Sequence, residues 1–213
     1  MQEAIEKRGI LLVYPLKNRE DIPSLWSELY PKSPMHWCWD ADADNRVAEL
    51  WVLREELSRS GEVVYSKWFR NRATFFSKEV FVHLLAFLGS AQDQVLLSRD
   101  AKEALDCLLS DSPQSTKILK ENLGWKGRMM ESHYNRALKK LWSHLFIVGY
   151  GEVEDSSFPS LNMGATQNLF EDLWLESQSV SEAKAHSFLQ KKLSEQSPFF
   201  QQALKMRNLA AKT

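Results

Sequence analysis

Cysteine is almost missing from this chain. Cys38 and Cys107 are the only two among 213 residues, and they form no Cys-x-x-Cys pair. That usage fits a reducing cytosol and excludes a structural zinc site built on thiolates. Glycine is as scarce as tryptophan, with eight of each. No Gly-x-Gly-x-x-Gly, Walker or Gly-x-Ser-x-Gly string occurs, which removes Rossmann and nucleotide-hydrolysis chemistry. Net charge is nearly absent: 27 Lys and Arg stand against 28 Asp and Glu, a formal −1. A histone-like polycation is therefore excluded, and any nucleic-acid surface has to be local. No apolar run reaches the roughly 18 residues of a membrane span. Met1 to Arg8 is polar and carries both charge signs, unlike a signal peptide, so the expected location is cytoplasmic.

What is present is a normal globular composition, 44% hydrophobic and 26% charged, with its charge unevenly placed. Between residues 115 and 140 seven bases face only Glu121 and Glu131. Residues 141 to 183 have no Lys or Arg and seven acids, and the tail from 184 is basic again. Such segregation points to a surface with a purpose.

The apolar pattern predicts an α+β, mainly helical fold. Gly9 to Tyr14 reads as a short buried strand, and the segment from Pro15 to Pro34, with four of the seven prolines, reads as irregular chain pinned by Trp26. A helix capped by Asp44 runs to Ser60, and a hairpin follows around Arg70-Asn71-Arg72. Ser77 caps a helix with the stripe Val80, Phe81, Leu84, Leu85 and Leu88. Asp100 is placed to cap the next helix, Ser115 a short one, and a long helix spans about Arg128 to Leu145. Its stripe is Met130, Tyr134, Ala137, Leu138, Leu141 and Leu145. Strands at Phe146–Val153 and Ser160–Thr166 flank a turn at Glu154–Pro159. Helix, short helix, Gly turn, long helix and hairpin is the order of a winged helix-turn-helix. A looser echo at 45–76 makes the expected architecture a pair of tandem winged-helix-like modules with β-hairpin wings. The expected segments are 1–99, with the strand, the Pro/Trp-rich stretch and the first module; 100–176, the winged helix-turn-helix; and 177–213, a helical tail.

The candidate binding residues lie in two runs. On the long helix and the turn before it, Lys126, Arg128, Ser132, Asn135, Arg136, Lys139 and Lys140 stand opposite the apolar stripe. Arg and Lys pair with phosphates or guanine edges there, and Asn bonds adenine. A solvated helix face explains charges too, but it ordinarily mixes signs. In the earlier hairpin, Lys67, Trp68, Arg70 and Arg72 interleave bases with aromatics, with no acid from Val63 to Lys78. That combination suits phosphate contact with stacking or a groove wedge; a partly buried Trp68 beneath a charged turn is the plainer alternative. The second hairpin carries Glu152, Glu154 and Asp155 at its turn, where acids repel DNA. Either that wing points away, or its module binds protein.

No metal or catalytic constellation emerges. Asp40, Asp42 and Asp44 have the 1, 3, 5 spacing of a calcium loop, but Asn45 replaces its glycine and Trp51 its closing glutamate. His36 and Cys38 have no identifiable Asn or Asp partner. No cofactor is expected.

The run Gly61-Glu62-Val63-Val64-Tyr65-Ser66-Lys67-Trp68-Phe69-Arg70-Asn71-Arg72-Ala73-Thr74-Phe75 resembles the AlkZ/YcaQ-type winged-helix family. So do Ser112-Pro113-Gln114-Ser115-Thr116 and the Phe146-to-Pro159 hairpin. The likeness covers about residues 45–175. Its best-known members are DNA glycosylases that unhook crosslinks and release alkylated bases. The resemblance implies tandem winged helices, a repair-linked role and double-stranded or damaged DNA as partner. The family's Gln-aliphatic-Asp or Gln-aliphatic-Gln motif is not matched: the nearest string is Gln92-Asp93-Gln94, with a charged middle residue. The expected function is therefore DNA binding, linked to repair or transcription, without catalysis. A DNA glycosylase using Asp93 is one alternative. The other is an interaction scaffold whose acidic 141–183 strip binds a basic protein.

Overall fold

The computed structural model describes all residues except 18, 20, 37–43, 93–94, 126, 156–158 and 211–213. Helix α1 (Gln2–Arg8) leads into β1 (Ile10–Leu12). The Pro-rich stretch, expected to be irregular, contains the short helix α2 (Leu25–Leu29), because Ser24 and Ser27 cap each other's backbone N–H groups. Helix α3 (Asn45–Arg59) starts at Asp44, whose carboxylate accepts from the Arg46 N–H. Asp40 and Asp42 lie outside the described residues. Strands β2 (Val64–Phe69) and β3 (Arg72–Phe76) follow, joined by a tight turn with Arg70 and Asn71 at φ 51° and 59°. Positive φ at both central residues matches the right-handed twist of a hairpin.

Helix α4 (Lys78–Leu88) is capped by Ser77 and ended by the left-handed Gly89. A single apolar stripe is expected on it, yet Val82, Ala86 and Phe87 are buried as well. The reason is coverage: α9 (Glu171–Gln178), α10 (Glu182–Leu193) and α11 (Pro198–Ala210) wrap its other sides. Helix α5 (Arg99–Ser110) is capped by Ser98 rather than Asp100. The Asp100 carboxylate instead lies 2.8 Å from Nδ1 of His133. Next come β4 (Gln114–Ser115), α6 (Thr116–Asn122), capped by Ser115, and α7 (Arg128–Ser143). Helix α7 stops two residues short of Leu145, which adopts φ 59° while the Phe146 N–H turns back to the Leu141 carbonyl. Strands β5 (Ile147–Val153) and β6 (Ser160–Ala165) and the short α8 (Thr166–Leu169) complete the set.

All strands join one antiparallel sheet in the order β1-β3-β2-β5-β6-β4. The two hairpins therefore share a sheet, joined where β2 meets β5 at Tyr65 and Gly149. A Cβ on Gly149 would lie 2.3 Å from the Tyr65 ring, so only glycine permits that approach. The pleat sorts side chains onto two helix-covered faces. Leu11, Val13, Val63, Tyr65 and Phe75 pack toward α1, α2 and α3. Ile10, Leu12, Val64, Trp68 and Phe76 enter the larger core with α4, α5, α7, α10 and α11. That core draws on each of the segments 1–99, 100–176 and 177–213. Among the described residues no helix is long and apolar enough to cross a membrane.

Candidate nucleic-acid interface

The shared sheet brings the first hairpin beside the long helix. The β2–β3 turn, the C-terminal half of α7 and α11 enclose a cleft of about 1070 Å³. Its walls carry Lys67 and Arg70 from the hairpin, Arg136, Lys139 and Lys140 from α7, and Lys205 from α11. Arg19 adds a seventh cation, which is ion-paired with Asp21 at 2.7 Å. No carboxylate side chain lines the cleft among the described residues. Gln196, Gln201 and Gln202 supply neutral polar groups at the α11 side.

The two halves of α7 differ electrostatically. At the N-terminal half, Lys120 of α6 pairs with Glu131 at 2.7 Å and lies over the Tyr134 ring, while His133 meets Asp100. At the C-terminal half, Arg136, Lys139 and Lys140 have no acidic partner among the described residues, and the Arg136 Nε–H donates to the Ser132 carbonyl one turn back. Burial pushes the Lys140 ammonium pKa down, as it does for Lys67. Unpaired cations gathered around a partly desolvated space favour an anion that spans them.

Of the expected binding residues, Lys67, Trp68, Arg70, Arg136, Lys139 and Lys140 line this cleft. Arg72, Ser132 and Asn135 are exposed but do not line it. Arg128 is at the other end of α7, in a separate shallow depression with Lys117, Lys120 and Glu131. Lys126 lies outside the described residues. Trp68 reaches the cleft only as its floor. It is 1% exposed and packs edge-on against Phe76 at 5.7 Å, so no ring face is open to a stacking base. The wedge or stacking role expected for it does not fit that burial.

Beneath the rim, His144 is 2% exposed and its Nε2 has no hydrogen-bond partner. Its Nδ1 lies 3.0 Å from the Ser143 hydroxyl and 3.2 Å from the Lys140 carbonyl. Burial first, then the Lys140 charge, pushes its pKa down to about 4, so the ring is neutral near pH 7. Arg19, His144, Lys205 and the glutamines are among the cleft residues that sequence reading missed. The basic tail was the signal for Lys205; a buried histidine next to a helix end leaves no pattern.

The described acids of the second hairpin do not line the cleft. Glu152 pairs with Arg54 of α3 and accepts from the Trp51 indole N–H at 3.1 Å. Asp155 accepts from the Ser115 hydroxyl, a bond that holds its carboxyl below the usual range. Glu182, farther along the acidic strip, pairs with Arg207 at 2.6 Å. Glu154 remains exposed.

A family model described as AlkZ related matches residues 1–206. The chain belongs to the AlkZ-related family. The match reaches beyond the 45–175 stretch that carries the visible likeness, so α1, β1 and most of α11 are part of the family's unit. No curated protein and no solved structure matches the chain. In this AlkZ-related chain the Gln92 amide is tied to the Ser177 carbonyl at 2.9 Å and does not line the cleft. Asp93 and Gln94 lie outside the described residues.

Proposed function

We propose that this AlkZ-related protein binds DNA in the cleft between the β2–β3 turn, α7 and α11, in a repair-linked role and without releasing bases. One observation carries the reading: cations from the first hairpin, α7 and α11 converge on one cleft that no carboxylate lines among the described residues. Phosphates are the natural occupants of such a groove, because each contact releases condensed counterions. Family membership points the same way, toward a repair-linked, glycosylase-like relative.

In this reading α5, α6, α7, β5 and β6 form a winged helix, with β2 and β3 as the hairpin of a looser second module. A recognition helix ordinarily docks by its N-terminal end, and the cations of α7 that line the cleft are not there. They stand at the C-terminal half of α7, so contact falls mainly on the sugar-phosphate backbone and sequence preference is weak. The acids of the second hairpin no longer count against DNA, since Glu152 is ion-paired with Arg54 and Asp155 accepts from the Ser115 hydroxyl.

The test is fluorescence anisotropy of a labelled duplex across a salt series. The affinity is expected to fall with a slope of about −0.9 per phosphate neutralised. Replacing Arg70 and Lys139 together by Ala flattens the slope by up to about two. Arg72→Ala and Arg128→Ala, outside the cleft, leave it unchanged. Affinity independent of salt, or none at about 50 mM salt, refutes the reading.

A further inference from the structure

Lys67 differs from the other lysines of the cleft in how its amine is held. It projects from β2, an interior strand hydrogen-bonded to β3 and β5, whereas Lys139 and Lys205 are exposed on helices and Lys140, also half-buried, stands on α7. The side chain is half-buried, and among the described residues no hydrogen bond or ion pair engages its ammonium. Behind it stands Arg54, buried, stacked 4.4 Å over Trp51 and ion-paired with Glu152. Burial pushes the Lys67 pKa down, the Arg54 charge adds to the push, and Glu152 opposes it. A rigidly placed, unpaired and partly desolvated amine keeps a larger nucleophilic fraction than a solvated lysine.

The electrophile that such an amine meets in a DNA groove follows from DNA chemistry. An intact nucleotide offers no carbonyl with which an amine condenses at its sugar. A nucleotide that has lost its base does, because the hemiacetal at C1′ opens to an aldehyde. We propose that Lys67 is the nucleophile of an abasic-DNA capture site, forming an imine with the C1′ aldehyde while the flanking phosphates lie on Arg70, Arg136 and Lys139. The proposal rests on the DNA-binding reading of the same cleft. In the step, the amine lone pair adds to the aldehyde carbon. The carbonyl oxygen then leaves as water with the two amine protons, and a C=N bond remains. No electrons are gained or lost, and water reverses the step. This chemistry needs no lining carboxylate, since the amine is itself the nucleophile.

The experiment uses the full chain and two duplexes, one with a single aldehydic abasic site and one with its tetrahydrofuran analogue, which has no aldehyde. Sodium borohydride reduces any imine to a stable amine, and denaturing gels read the covalent adduct. Peptide mapping of the wild-type adduct places it. The expected result is an adduct with the abasic duplex alone, mapped to Lys67 and reduced at least about tenfold in Lys67→Arg and Lys67→Gln. Each variant is used at a concentration that saturates its binding of the tetrahydrofuran duplex, so a weaker affinity does not count as a lost adduct. Urea midpoints report that both variants fold. Tetrahydrofuran binding without an adduct overturns the capture proposal and leaves DNA binding standing. An adduct mapped to Lys140 or Lys205, or one undiminished in the variants, overturns it equally. Failure to bind either duplex removes both readings.

Discussion

Arg54 of α3 and Glu152 of β5, 98 positions apart, form a buried ion pair that fastens the acidic end of the second hairpin to α3. Arg59 strengthens the junction by donating to the Glu152 carbonyl, and the Ser58 hydroxyl accepts from the Gly151 N–H at 2.9 Å. Glu152, one of the three acids at that hairpin's turn, thus serves the packing of α3 on the sheet. Removing one partner of such a pair leaves the other charged and desolvated. Glu152→Ala is therefore expected to destabilise the protein by about 3–5 kcal/mol. Glu154→Ala, at an exposed position, is expected to stay within about 0.5 kcal/mol. Urea denaturation followed by tryptophan fluorescence compares them, and a small Glu152 effect would sink the assignment.

The phase of α7 is open to a similar comparison. Leu141 is fully buried in the main core, while Lys139, two residues away, faces the cleft and is exposed. Leu141→Ala should cost about 2–5 kcal/mol through lost burial and a residual cavity. Lys139→Ala should cost no more than about 0.5 kcal/mol while weakening DNA binding. Equal losses of stability would mean that the helix is rotated from its observed orientation.

His144 makes stability depend on pH in a defined direction. Its folded pKa, about 4, lies below the ordinary 6.5, so the unfolded chain binds the proton more readily. The contribution is fully present above about pH 6.5 and is lost as the pH falls toward 4, amounting to about 3 kcal/mol in all. Urea midpoints measured between pH 7.5 and 4.5 should show this decline, and His144→Gln should flatten it over that window. A variant whose decline matches the wild type would assign the effect to other groups.

Base release is expected to be absent. Water attack at the glycosidic carbon needs a positioned group that accepts a proton and stabilises charge. The cleft offers amines, guanidinium groups and amides, but no carboxylate among the described residues. Purified protein in excess over a duplex with an alkylated base, or with an interstrand crosslink, should leave the glycosidic bonds intact under conditions where binding is saturated. Release of free base that Asp93→Asn abolishes would restore the glycosylase alternative.

Local features of the fold were legible because their physics is local. Asp44, Ser77 and Ser115 start their helices through side-chain bonds to N–H groups two or three residues on. The α7 stripe and the Arg70-Asn71 turn follow from periodicity and turn geometry. Ser98 displaced Asp100 as a cap because His133, 33 positions away, claims the aspartate. The all-round burial of α4 was hidden for a related reason. A helix shows which residues are apolar, but only α9, α10 and α11 docking on it decide that two faces are covered.

The helices that Asp44, Ser77 and Ser115 begin, the long α7, both hairpins, the basic character of 67–72 and 126–140 and the family resemblance were readable in the sequence, because propensity, capping and charge are properties of neighbouring residues. Tertiary structure alone decided which of those charges work together. Glycine at 149 lets β5 close on Tyr65, and that pairing sets the first hairpin beside the C-terminal half of α7. The tail then folds back over α4 to bring Lys205 to the same cleft, while Glu152 is ion-paired with Arg54 and does not line it. Close approach between distant segments depends on the shape and volume of both partners, and neither is written in the local pattern of either one.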